Sequence, residues 1–235
     1  MLAMDARFHI LPEETSYYPA KLARLARAHF PEYSPKRRKP YRPMALLCDG
    51  GDIFHENVPA SFIRQVFEMA RRRPEITWQV LTKRIARAKE VLFGEGGDFY
   101  LVPGEHIPNI WLMTTAENQA YADQRIPLLL HMWSGICGIS VEPMLEPLNL
   151  VPYLRIPNKQ AFVIVGAESG LERRPFSVRW AMSLLTQCRE AGVAFHGKQD
   201  SAPYPGRPLL LNGEEVKEWP QDLGPATSLR QGNLL

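Results

Sequence analysis

Phe162-Val163-Ile164-Val165-Gly166-Ala167-Glu168-Ser169-Gly170 is the stretch whose reading decides the fold. An unbroken apolar run, mostly β-branched, stops on a compact polar signature. So short a run suits a strand buried on both faces. The pattern recurs along the chain. Trp78–Leu81 ends in Thr82-Lys83-Arg84, and Ile110–Met113 ends in Thr114-Thr115-Ala116-Glu117-Asn118-Gln119. Ile136–Val141 ends in Glu142-Pro143, and Val193–Phe195 leads to Lys198-Gln199. Segments with helical spacing separate these runs, and strands alternating with helices predict a parallel sheet. In such sheets ligands bind beyond the carboxyl ends of the strands, whether the sheet is open or a barrel. Each signature alone reads equally as a turn or a helix cap; together they nominate one site.

The same reading extends to both sides. Met44–Cys48 is a further buried strand, followed by the turn Asp49-Gly50-Gly51-Asp52. Pro59 opens a helix with Phe62, Val66, Phe67 and Ala70 on one face, and Pro74 ends it. The units that follow are strand 76–81 with helix 84–93, strand 109–114 with helix 117–131, strand 136–141, strand 161–165 with helix 177–191, and strand 193–197. Gly192 suits a helix C-cap. Six strands joined by right-handed crossovers predict an α/β fold, an incomplete (β/α)6 barrel with a mostly parallel sheet. A flat doubly wound sheet is the alternative. Residues 1–43 read as a basic helix (Tyr17–Phe30) and a Pro-rich connector, residues 44–200 as the partial barrel, and residues 201–235 as an irregular tail. Within that tail Asn212-Gly213 signals a hairpin over 209–216. Residues 220–235 have the composition of disorder.

Composition narrows the class. With 235 residues, 45% of them hydrophobic, the chain builds one α/β domain or two small ones with a sizeable core. No run is long enough to span a membrane, and Met1–Arg7 lacks the apolar core of a signal peptide; a cytoplasmic protein is expected. Cys48, Cys137 and Cys188 are odd in number and far apart, which argues against a disulfide framework. Cys137 and Cys188 read as core thiols. The net charge of +3 is unevenly spread: Lys21, Arg24, Arg27, Lys36, Arg37, Arg38, Lys39 and Arg42 face one acid, Glu32. Beside Tyr33 and Tyr41, this cluster reads either as a phosphate-contacting, nucleic-acid-binding segment or as a solvated linker.

The candidate chemistry lies at the strand ends. Glu142 precedes a proline that biases it to extended backbone, and a carboxylate ending a buried strand needs a partner or a ligand. Gly166-Ala167-Glu168-Ser169-Gly170 resembles a backbone nest, its glycines allowing close approach. It is neither a P-loop nor a dinucleotide fingerprint. Glu117 and Asn118 sit where a helix begins, and a helix start favours such residues as caps. Two readings stand side by side. In one, Glu117, Glu142 and Glu168 share a cleft with Lys83 and Lys198, forming a pocket of alternating sign for a zwitterionic or nucleotide-like ligand. In the other they are independent surface caps. Asp52, His55 and Glu56 stand close together, but a metal site needs three or four ligands at fixed geometry, and none is assigned.

Seven blocks in order carry a family resemblance. They are Asp52–Pro59, Gln79–Arg84, Ala116–Gln119, Arg125–Leu130, Ser140–Leu145, Val163–Gly170 and Lys198-Gln199. Over residues 44–200 they resemble an uncharacterised phage and bacterial family, often called a three-cysteine-motif family and similar to radical-SAM enzymes. The resemblance implies a partial βα barrel with S-adenosylmethionine at the strand ends. Glu142, Gly166, Glu168 and Ser169 would hold that cofactor, and Lys83, Glu117, Asn118, Lys198 and Gln199 the substrate. It also implies a [4Fe–4S] cluster on three closely spaced cysteines, and this chain departs there. Cys48, Cys137 and Cys188 do not replace the triplet, as if the chain began after the cluster loop. A cluster needs thiolates, so this chain alone is expected to do no radical chemistry. Phage occurrence points to nucleic-acid modification as the reaction class. A non-catalytic nucleic-acid-binding or protein-partner module is the alternative.

Overall fold

The computed structural model describes residues 27, 33–34, 39–40, 43–47, 51–94, 101–102, 104–156 and 160–220. The helix expected over 17–30 apart from Arg27, most of the basic cluster, Cys48 with Asp49 and Gly50 of the turn after it, and the stretch beyond Pro220 lie outside the described residues. Tyr33–Ser34 pairs antiparallel with Lys39–Pro40.

Six strands form one sheet: β1 (Met44–Leu47), β2 (Thr77–Thr82), β3 (Ile110–Thr115), β4 (Cys137–Val141), β5 (Ala161–Gly166) and β6 (Ala194–Gln199). Their order in the sheet is their order in the chain. β1 pairs with β2, and β3 with β4, β4 with β5 and β5 with β6, all in parallel. A doubly wound sheet reverses direction at a switch point. None occurs here, so the strand order is that of an incomplete βα barrel and the doubly wound alternative falls. The strands join helices α1 (Ala60–Arg71), α2 (Ile85–Phe93), α3 (Gln119–Met132), α4 (Val151–Leu154) and α5 (Val178–Ala191).

The described residues form two compact units, one up to Trp111 and one from Leu112 onward. In the first, α1 buries Phe62, Ile63, Val66, Phe67 and Ala70, with Phe67 5.9 Å from Phe54. The last carbonyls of a helix lack intrahelical partners. Just past the end of α1 the buried Asn109 Nδ2 lies within hydrogen-bond reach of the carbonyls of Ala70 (2.8 Å), Arg73 (2.8 Å) and Ile76 (3.0 Å), pinning the turn that follows the helix.

In the second unit the register aligns Met113, Gly138, Phe162 and Ala194 across four strands, and next to them Thr115, Ser140, Ile164 and His196. Alternation puts both rows on one face of the sheet. Gly138 is required there: a Cβ would lie 2.5 Å from Met113 Cγ and 2.8 Å from Phe162 Cζ. α5 ends as expected on Gly192 in the left-handed region, φ 66°, with Val193 N donating to Cys188 O.

The hairpin expected over 209–216 lies in the described part of the tail. Asn212 (φ 52°) and Gly213 (φ 84°) turn the hairpin β7 (Leu210–Leu211) to β8 (Glu214–Glu215); two successive positive φ values are the mark of a type I′ turn. The chain then runs antiparallel along β6. Gly197 N donates to Val216 O (2.8 Å) and Glu218 N to Phe195 O (2.9 Å). Trp219 packs on His196 at 4.2 Å and on Phe162 at 5.9 Å. Residues 216–219 therefore cover the outer edge of β6. Among the described residues no helix is long and apolar enough to cross a membrane.

Candidate functional site

Parallel pairing brings the carboxyl ends of β3, β4, β5 and β6 to one edge of the second unit. Each end carries charge. Past β3, the Glu117 carboxylate is buried, 7% exposed, and accepts from Arg125 Nη1 at 3.0 Å. That nitrogen also donates to Thr115 O (2.9 Å), and the guanidinium lies 3.9 Å from the Tyr121 ring centroid. Arg125 is thereby fixed on three sides, which suits its planar, polydentate group. Asn118 caps α3, its Oδ1 accepting from Tyr121 N at 2.9 Å, and Gln119 N donates to Glu146 Oε1 at 2.7 Å. Asn118 thus serves as the cap of α3 through its Oδ1.

Past β4, Glu142 Oε1 lies 3.2 Å from Lys198 Nζ of β6, and Glu142 Oε2 accepts from Ser140 Oγ at 3.2 Å. A Cβ on Gly166 would stand 2.6 Å from Glu142 Oε1. The glycine at the end of β5 gives the Glu142 carboxylate room across the strand between Glu142 and Lys198. Met144 N closes the same corner by donating to Gly166 O (2.9 Å).

Past β5, Glu168 accepts from Arg174 N (2.9 Å), Nε (2.9 Å) and Nη2 (3.0 Å). The Arg174 side chain, and next its backbone N–H, hold the Glu168 carboxyl down at about 2. Arg174 is raised in turn, first by Glu168 and also by the charge of Glu117. Ser169 forms a parallel bridge with Ala202, which carries the β5–β6 pairing past the irregularity between Val165 and Gly166. Gln199 is occupied at both ends of its amide: Nε2 donates to Ala167 O (2.9 Å) and Oε1 accepts from Gly206 N (3.3 Å). It straps two loops together.

Glu117, Glu142, Glu168 and Lys198 thus stand on the ends of four successive strands, with Glu142 and Lys198 in direct contact. Lys83 belongs to the first unit, exposed at the end of β2, where its N–H donates to Asp52 Oδ2 (3.0 Å). Asp52 also accepts from Phe54 N (2.9 Å), Thr82 Oγ1 (2.8 Å) and Arg84 Nη1 (3.2 Å). Arg84 Nε reaches Glu56 Oε1 at 3.0 Å. Arg84 thus organises this strand end.

Sequence reasoning missed Arg125, Ser140 and Arg174. Arg125 was legible only as a cation two turns into the helix behind Glu117. Arg174 was masked by its neighbours Glu172 and Arg173.

The two described thiols do not suit an iron–sulfur cluster. Cys137 and Cys188 are buried, and burial pushes the Cys188 thiol up to about 12. Cluster ligands must be thiolates. Among the described residues no group of His, Cys, Asp and Glu could hold a metal ion.

Fold and site define an α/β protein of parallel βα units with carboxylate–cation pairs along its strand ends. The chain belongs to the family described as a protein of unknown function, DUF5131, whose model matches residues 4–206. No curated protein and no solved structure matches it.

Proposed function

We propose that the carboxyl edge of β3–β6 binds a small zwitterionic, nucleotide-like ligand of the S-adenosylmethionine type. The observation that carries this reading is the charge pattern: Glu117 with Arg125, Glu142 with Lys198 and Glu168 with Arg174, on successive strand ends. A ligand with both an ammonium and a carboxylate exchanges such pairs one for one, so neither protein charge is left desolvated and alone. Glu142 and Glu168 receive the cationic groups and hydroxyls, Lys198 receives the carboxylate, and the Gly166–Ser169 backbone lets the ligand approach. S-adenosylmethionine would supply an activated carbon on sulfur; this chain's residues bind and orient it. No radical step is derived, because the cysteines described do not fit the cluster that step requires.

Isothermal titration of the full chain with S-adenosylmethionine tests the reading. Saturable binding is expected. Glu142→Gln and Lys198→Met should each weaken it by about tenfold or more, the cost of losing one charge-assisted hydrogen bond. Absence of saturable binding, or unchanged affinity in both variants, refutes it.

A further inference from the structure

Two loops continue the strand ends outward, residues 167–177 after β5 and residues 200–207 after β6. The second is latched shut. Asp200 N donates to Arg207 O (2.9 Å), Arg207 Nε lies 3.4 Å from Asp200 Oδ2, and Gly206 N donates to Gln199 Oε1 (3.3 Å). At its tip Tyr204 stands between Pro203 and Pro205 and is 79% exposed. Proline fixes its own φ on either side, which narrows the backbone conformations that present this ring to water. The loops are joined: Gly170 N donates to Ala202 O (3.0 Å) and Arg173 Nε to Ser201 Oγ (3.1 Å). Next to Gly170, Leu171 is 85% exposed.

The charges around this rim are layered. In each of three ion pairs the carboxylate is the inner partner and the cation the outer one. Side-chain exposures are 18% for Glu142 against 54% for Lys198, 32% for Glu168 against 54% for Arg174, and 19% for Asp200 against 62% for Arg207. Arg173 differs from these. Its hydrogen bonds go to neutral acceptors, the Ser201 hydroxyl and the Gly170 carbonyl (3.0 Å). Glu172 is the remaining exposed acid on these loops. The outer layer therefore holds more cations than acids and carries an exposed aromatic ring. Cations tracking a backbone beside an exposed aromatic platform are what single-stranded nucleic acid recognises.

We propose that these two loops bind a single-stranded nucleic acid, with a base stacked on Tyr204 and phosphates on Arg173 and Arg207. This goes beyond the S-adenosylmethionine reading and does not depend on it.

Fluorescence anisotropy of a labelled single-stranded oligonucleotide of about 12 nucleotides, a length that a site of this kind spans, tests it on the full chain. Saturable binding that weakens with salt is expected. Tyr204→Ala should lose at least about fivefold in affinity, whereas Tyr204→Phe keeps the stack and stays within about twofold. Arg173→Gln should lower the salt slope by about 0.7, one phosphate contact on a single strand. These side chains are exposed or half-buried, and thermal unfolding checks that each variant is folded. No binding at about 50 mM salt overturns the proposal. So does Tyr204→Ala binding like the wild type, which would move the strand to another basic segment. Adenosine monophosphate binding as tightly as the oligonucleotide would make the ligand a free nucleotide and also overturns it. Glu142→Gln separates the two readings: it should weaken S-adenosylmethionine binding by about tenfold or more and leave oligonucleotide binding within about twofold.

Discussion

Gly166→Ala isolates the contact on which the candidate site turns. Gly166 ends β5 and is not among the glycines in the left-handed region, so alanine brings no backbone strain. Its Cβ would meet Glu142 Oε1 at 2.6 Å, well inside contact distance. The carboxylate must swing away, leaving Lys198 Nζ and Ser140 Oγ, each now at 3.2 Å. Ser140 is buried, and a buried hydroxyl that loses its acceptor costs about 1–3 kcal/mol. Lys198 is more than half exposed, so the ion pair contributes only about 0.2–1 kcal/mol. Alanine returns about 0.4–1 kcal/mol by restricting the unfolded chain. The net loss is about 2 kcal/mol, which lowers Tm by about 4–8 °C in a chain of this length. Thermal unfolding followed by circular dichroism measures it in a double-mutant cycle. In a Glu142→Ala background the clash is gone, and Gly166→Ala should be neutral or slightly stabilising. If the two substitutions add within about 0.5 kcal/mol, Gly166 is not the seat of the Glu142 carboxylate and the reasoning fails.

Other expectations follow from the same geometry. The Glu168 carboxyl should titrate near 2 by NMR, against an ordinary 4.5, and move back up in Arg174→Gln. Because its folded pKa is depressed, its contribution to stability is present above pH 4.5 and is lost as the pH falls toward about 2; an unshifted carbon resonance midpoint contradicts the Glu168–Arg174 pairing. Cys188, with its thiol raised to about 12 by burial, should resist alkylation at pH about 8 in the native protein and react in denaturant. Native labelling at that position by mass spectrometry would place it on the surface. Gly138→Ala should destabilise by about 1–3 kcal/mol through overpacking against Met113 and Phe162, read as a shift of the urea midpoint at constant slope; an unchanged midpoint would mean that this face of the sheet has slack.

The strands were legible because a buried parallel strand must be apolar throughout, and Phe162–Val165 and Ile136–Val141 can be little else. The turn at Asn212-Gly213 and the cap at Gly192 were legible because both positions need positive φ, which a sequence signals locally. The partners of the charges were not. Whether Glu168 chooses Arg173 or Arg174, and whether Glu142 reaches Lys198 across an intervening strand, depends on register and on loop closure, neither of which leaves a mark nearby in the chain. The backbone partners of Asn118 and Gln199 were hidden for a related reason: an amide at a strand end is equally suited to a ligand and to an orphan backbone group. The segment Val216–Trp219 was read as tail because its few apolar residues make sense only against β6 and His196.

The agreement between strand order and chain order has a consequence for how the molecule is made. On a ribosome, β4 emerges to find β3 already synthesised, β5 finds β4, and β6 finds β5, so no strand of this unit has to wait for a later one or displace an earlier one. Such vectorial addition keeps the search for partners short. One vulnerability remains. The free side of β6 is completed only when residues 216–219 have been translated, and until then it presents unpaired amides and carbonyls to any neighbouring nascent chain. The aggregation hazard of this unit is therefore set by time, falling in the interval between the last strand of the sheet and the short segment that closes its edge.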